Sequence, residues 1–152
     1  SVAAEHLATA ITEGILNELF EQIISDKRIN KKVVLTCVDD EKHQVGIKMV
    51  ADVFEMHGWE SYFLGTGIPT EELKRYIRET NPDILAISMS IYFNYHNLLR
   101  TVKTVQDEFP ELLIIIGGQA FNHINDEDLK RIHHVVFLQD LYILERFVKS
   151  IN

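Results

Sequence analysis

Five short runs of β-branched and aliphatic residues recur along the chain, and each is followed by a stretch with helical apolar spacing. The runs cover residues 32–38, 59–64, 84–88, 112–116 and 134–138. The helical stretches follow at about 47–57, 70–80, 94–109, 126–132 and 141–151. Runs such as Ile84-Leu85-Ala86-Ile87-Ser88 and Leu112 to Ile116 are apolar without alternation, as expected of strands buried on both faces. Strands of that kind, each followed by a helix, predict one parallel sheet with helices on both faces and right-handed crossovers.

The expected fold class is therefore α/β, with a flavodoxin-like (Rossmann-like) five-stranded parallel sheet in the order 2-1-3-4-5. The punctuation agrees. Gly58 suits a helix stop, Thr70 with Glu71 and Glu72 behind it suits an N-cap, and Asn81-Pro82-Asp83 and Pro110 break the chain again. Ahead of the first strand, Ala3, Leu7, Ala10, Ile11, Ile15, Leu19 and Ile23 recur at helical spacing, so residues 2–24 form an amphipathic helix with one face to bury. A polar connector follows, and the expected division is 1–31 for this helix and connector and 32–152 for the α/β domain.

In this order strands one and three are neighbours, and the loops at their carboxyl ends diverge, which is where open α/β sheets bind ligands. Three unusual stretches fall on that edge: Glu41 to Gly46 after strand one, Ser88 to Asn94 after strand three, and Gly117-Gly118 after strand four. His43 in the first has one ring nitrogen for a metal and another for an acceptor, with Glu41 two residues away. Paired glycines let a bulky ligand approach the backbone closely.

Charge and composition narrow the function. The chain has 152 residues, enough for one domain with a sizeable core. A net charge of −8 without a Lys/Arg cluster argues against direct nucleic-acid binding. No apolar run is long enough to cross a membrane, and without a charged-then-apolar stretch at its start the sequence carries no mark of export, so a chain that stays inside the cell is expected. The single Cys37 fits a buried position and a reducing cytoplasm. His57, His96, His123, His133 and His134 suit surface or strand-edge positions, His6 a surface or helix-packing one, and Trp59, Tyr92, Phe93 and Tyr95 suit core or pocket wall.

The three stretches and their spacing resemble the cobalamin-binding domain family. Its pattern Asp-x-His-x-x-Gly, Ser-x-Leu and Gly-Gly is matched in order by Glu41-Lys42-His43-Gln44-Val45-Gly46, Ser88-Met89-Ser90 and Gly117-Gly118. The resemblance implies that His43 is the lower axial ligand of the cobalt in place of the cofactor's dimethylbenzimidazole. It implies too that Glu41 holds the other ring nitrogen and that the nucleotide tail enters a slot between strands one and three, lined by Ser88 and Ser90 and passed by Gly117. Several residues depart from the pattern. Glu41 replaces the usual Asp, Ser90 the usual Leu, and Tyr92 and Asn94 stand where methionine synthase members have Thr and Ser.

Glu in the first motif is similar to cobalamin-dependent light-sensing repressors. The Glu5-His6 helix looks like the later part of the four-helix cap over the upper cobalt face, so Ser1 is expected to begin a fragment or processed product, able to self-associate through that cap. The expected function is a cytoplasmic, non-enzymatic sensor domain of a bacterial transcriptional regulator, with adenosylcobalamin or methylcobalamin as cofactor and light as a candidate signal. The alternatives are a corrinoid carrier of a methyltransferase system and a haem-binding sensor.

Overall fold

A computed structural model of the chain describes residues 1–124, 127 and 134–152. Its sheet has five parallel strands: β1 (Lys32–Cys37), β2 (Glu60–Gly65), β3 (Ile84–Ser88), β4 (Leu113–Gly117) and β5 (Val135–Phe137). Their order is β2-β1-β3-β4-β5, as the alternating pattern predicts. The helices are α1 (Val2–Ile23), α2 (Val45–Met56), α3 (Thr70–Thr80), α4 (Tyr95–Glu108) and α5 (Leu141–Ser150). The helix expected over 126–132 lies outside the described residues, Glu127 apart, and so does His133.

Side chains alternate across the strands and so feed two separate cores. Val34, Leu85, Ile87, Ile114 and Ile116 point to one face, where Leu73 and Ile77 of α3 and Leu98, Val102 and Val105 of α4 close over them. Val33, Leu35, Ile84, Ala86 and Ile115 point to the other, under Ile47, Ala51 and Phe54 of α2 and Leu144 and Val148 of α5. Trp59 belongs to this second core, edge-on to Phe54 at 5.1 Å, and its ring nitrogen donates to Asn152 Oδ1 at 2.7 Å. Register matters for the site. Cys37 pairs with Ser88 and Ser88 with Gly117, so the ends of β1, β3 and β4 form one level row.

Some local expectations need correction. Pro69, in extended conformation, takes the N-cap position of α3, and Thr70 is its first helical residue. The Thr70 hydroxyl instead meets Thr101 of α4 at 3.2 Å, a tie between helices that local sequence does not reveal. A 3-10 turn at Tyr92–Asn94 precedes α4. With three residues per turn it brings Asn94 inward and leaves Tyr92 and Phe93 outward, 58% and 93% exposed, so neither is core. Gly58 does end α2, at φ +86°, and a side chain there would strike the Lys27 carbonyl.

The first helix departs most from its sequence pattern. No residue of α1 is buried. It lies against α2 with Thr9, Glu13, Leu16 and Phe20 half-buried, while Leu7, Ile11, Ile15 and Leu19 remain exposed. The reason is the partner. The start of α2 offers Gln44, whose amide donates to Glu13 at 2.9 Å, and Lys48, whose ammonium sits 5.1 Å from the Phe20 ring centre.

Candidate functional site

The loop between β1 and α2 is built around a buried carboxylate. Glu41 is 2% exposed although it lies in a loop. Its Oε1 accepts from its neighbours' amides, Lys42 at 3.0 Å and His43 at 3.1 Å, and meets the His43 ring at Nδ1, 2.7 Å away. Its Oε2 accepts from the amides of Ser90 at 2.9 Å and Ile91 at 3.2 Å, with the Asn94 side-chain amide at 3.5 Å. One side chain thus ties the loop after β1 to the loop after β3. Burial pushes the Glu41 carboxyl up, but the hydrogen bonds from His43, Ser90 and Ile91 outweigh it and hold the group below the ordinary glutamate value.

His43 answers in the opposite direction. Its hydrogen bond to Glu41 raises it above the ordinary histidine value against the opposing effect of desolvation, and Glu5 adds to the rise. Glu5 of α1 stands 3.0 Å from His43 Nε2, on the ring nitrogen that Glu41 leaves free. Just behind, the Cys37 thiol donates to the His43 carbonyl at 3.3 Å. Burial and the charge of Glu41 push that thiol up to about 12.

Beside this cluster a cavity of ≈ 220 Å³ opens between α2 and α5, above the ends of β3 and β4. Its walls include Ile47, Val50, Ala86, Ile115 and Leu144, with polar Ser88, Gln119, Asn122 and Asp140. Gly46 lines it as well, and a Cβ there would meet nothing within 4 Å. The two later glycines have a more local cause. A Cβ on Gly118, at φ +123°, would lie 2.2 Å from the Met89 carbonyl, and one on Gly117 would lie 2.9 Å from that of Leu138. They are needed first for the loops to pack on each other, and they line the cavity as a result.

The residues singled out from sequence therefore separate. Glu41, His43, the Ser90 amide and Asn94 form the hydrogen-bonded cluster. Gly46, Ser88, Gly117 and Gly118 line the cavity. Tyr92 joins neither and stacks on Tyr95, with ring centres 6.0 Å apart. β1 and β3 are hydrogen-bonded neighbours, so the space opens on the α2 and α5 face of the sheet rather than between those strands. Sequence reasoning missed the wall from α5 and the role of Glu5 as partner of His43. The apolar spacing of 141–151 signalled a packed face, but nothing local signalled what it faced. Among the other histidines, His6, His96 and His134 are exposed, and His57 is half-buried, 3.3 Å from Glu145 of α5.

The donor set and the cavity suit a metal-centred macrocycle with an appended ring system. An imidazole oriented by a carboxylate is a strong single nitrogen donor. An aliphatic cavity of about 150 Å³ is known to admit benzene, so ≈ 220 Å³ has room for a larger flat ring. Fold and site together define a small α/β ligand-binding domain. Residues 31–148 match the B12 binding domain family, and the chain belongs to it. It is a cobalamin-binding domain, a binding unit rather than a catalytic one.

A curated relative is the HTH-type transcriptional repressor CarA of Myxococcus xanthus, 26% identical over 87 residues, which are 57% of this chain and 30% of the repressor. Among solved structures, a cobalamin-binding protein from Desulfitobacterium hafniense shares the fold at a TM-score of 0.67 and 24% identity, over 80% of this chain and 57% of that one. The Methanosarcina barkeri monomethylamine corrinoid protein shares it at 0.75 and 11%, over 90% and 65%. The chain thus spans only part of each. No helix among the described residues is long and apolar enough to cross a membrane.

Proposed function

We propose that this chain is the cobalamin-binding sensor part of a transcriptional regulator, with His43 Nε2 as the lower axial ligand of the cobalt. The observation that carries it is the Glu41–His43 pair, 2.7 Å apart beside the cavity at the sheet edge. Glu41 fixes the ring and enriches its free nitrogen, while Ser88, Gly46 and Gly117 border the space for the nucleotide tail. When bound, cobalamin would supply a cobalt centre whose upper ligand, adenosyl or methyl, can be exchanged. Residues 32–152 form the binding domain, and α1 with its connector is one helix of a cap. The regulator assignment draws on the similarity to CarA.

A corrinoid carrier is the second reading, favoured by the likeness to the monomethylamine corrinoid protein over 90% of the chain. The test of the ligand is direct. Protein labelled with ¹⁵N-histidine and loaded with cobalamin, then reduced to Co(II), should show protein-nitrogen hyperfine splitting in its electron paramagnetic resonance spectrum. His43→Ala should abolish it, and persistence would reject His43. Illumination of the adenosylcobalamin form should change its absorption spectrum and assembly state if the domain senses light. A carrier would instead accept and release methyl groups with no change of assembly.

A further inference from the structure

Glu5 and a metal compete for the same atom. A nitrogen of imidazole has one in-plane direction for a hydrogen bond or a metal, and here that direction at His43 Nε2 leads to Glu5 Oε1, 3.0 Å away. A metal on an imidazole nitrogen lies about 2 Å from it, leaving roughly 1 Å to the Glu5 oxygen where it now stands. The macrocycle that would carry the metal is much larger than the metal itself and would need still more of the space on that side of His43. Glu41 cannot yield in its place, because five other hydrogen-bonding groups hold it.

The first half of α1 is free to yield. Glu5 and His43 have side chains 58% and 47% exposed, and no α1 residue is buried. Further along, the helix touches α2 through Glu13 on Gln44 and Phe20 under Lys48. Its far end is fastened more firmly. The Ser25 amide donates to the Glu55 carbonyl at 3.2 Å and the Ile29 amide to Gly58 at 3.1 Å, with Ile24 extended just before them. The helix is therefore a lever with its pivot near residues 24–25 and its tip on the ligand atom.

Building on His43 as the ligand, we propose that Glu5 is a latch on His43 Nε2, and that loading of cobalamin expels it and swings the N-terminal half of α1 away from the loop that carries His43. Cofactor occupancy is then converted into a position of α1, together with its exposed stripe of Leu7, Ile11, Ile15 and Leu19. An exposed ionic contact contributes up to about 1 kcal/mol, so removing the latch should tighten binding about two- to fivefold.

The experiment uses hydroxocobalamin. Its Kd is measured by absorption titration for the chain, for Glu5→Ala and for Glu18→Ala, which removes the same charge from an exposed position of α1. Spin labels on Ala8→Cys and Lys103→Cys, both exposed, report the distance from α1 to α4 before and after saturation. The expected result is tighter binding by Glu5→Ala alone and a label distance that shifts by several ångströms on loading. Equal or weaker binding by Glu5→Ala, an equal gain with Glu18→Ala, or an unchanged distance overturns the latch. The ¹⁵N splitting keeps the two ideas apart, since its absence rejects His43 as ligand, whereas its presence with any of those three outcomes rejects only Glu5.

Discussion

Replacing Glu41 tests whether the site is a folded element in its own right. Glu41→Ala removes the acceptor for His43 Nδ1 at 2.7 Å and for the Ser90 amide at 2.9 Å, and strands the buried Asn94 amide. Hydrogen bonds to a charged acceptor contribute about 1.5–3 kcal/mol each. Water can re-solvate the exposed Lys42 and Ile91, so the net loss should be about 3 kcal/mol. For a chain of this size that lowers Tm by about 6–12 °C. Glu41→Gln should lose more than half as much, because its NH₂ must face backbone amide donors whichever way it turns, those of Lys42 and His43 on one side or of Ser90 and Ile91 on the other. The assay is thermal unfolding followed by circular dichroism.

The pH dependence carries a sign. Glu41 is held below its ordinary value, so its contribution is complete above the ordinary glutamate value and disappears as pH falls through the lowered one. His43 is raised, chiefly by Glu41, so its contribution is complete below the ordinary histidine value and is lost as pH rises through the raised one. The advantage of the unmodified chain over Glu41→Gln should therefore peak between the ordinary glutamate and histidine values. A Tm difference below about 2 °C there, or one that grows toward acid, refutes the account.

Other predictions follow from single positions. Cys37, with its thiol pushed up to about 12 and 2% exposed, should react with a disulfide reagent at pH 8 only through opening of the fold, far more slowly than in denaturant. Rapid labelling of folded protein would contradict that environment. Gly118→Ala should destabilise severely, because its Cβ meets the Met89 carbonyl at φ +123°, whereas Gly46→Ala should be stable and show its effect in cobalamin affinity. Comparable melting losses for the two would be a refutation. The exposed stripe of α1 should drive concentration-dependent self-association in sedimentation, which Ile11→Lys with Ile15→Glu should abolish.

The sheet was legible because its signals are local or periodic. β3 spans Ile84–Ser88 as the unbroken apolar run indicates, and Gly58 ends α2 where a stop was expected. Glu41 and His43 are two residues apart, so their meeting needed little beyond a turn. What was not legible depends on partners far along the chain. Thr70 spends its hydroxyl on Thr101, Oε2 of Glu41 on amides 49 and 50 residues away, and Glu5 reaches across 38 residues to His43. The cavity arises where α2 and α5 leave a gap, and no periodicity records a gap. The α1 stripe shows the converse, since its spacing marks an apolar face without stating whether this chain covers it.

The two carboxylates on His43 live in different media. The Glu41 side chain is shut away from solvent, while the Glu5 contact lies open to it. Dissolved ions screen charges they can surround, over about 8 Å at physiological strength, and reach buried pairs much less. Added salt should thus loosen the hold of Glu5 on the imidazole and leave that of Glu41 nearly untouched. Ionic strength is in effect a separate dial on the outer partner, turned without disturbing the one that aims the ring.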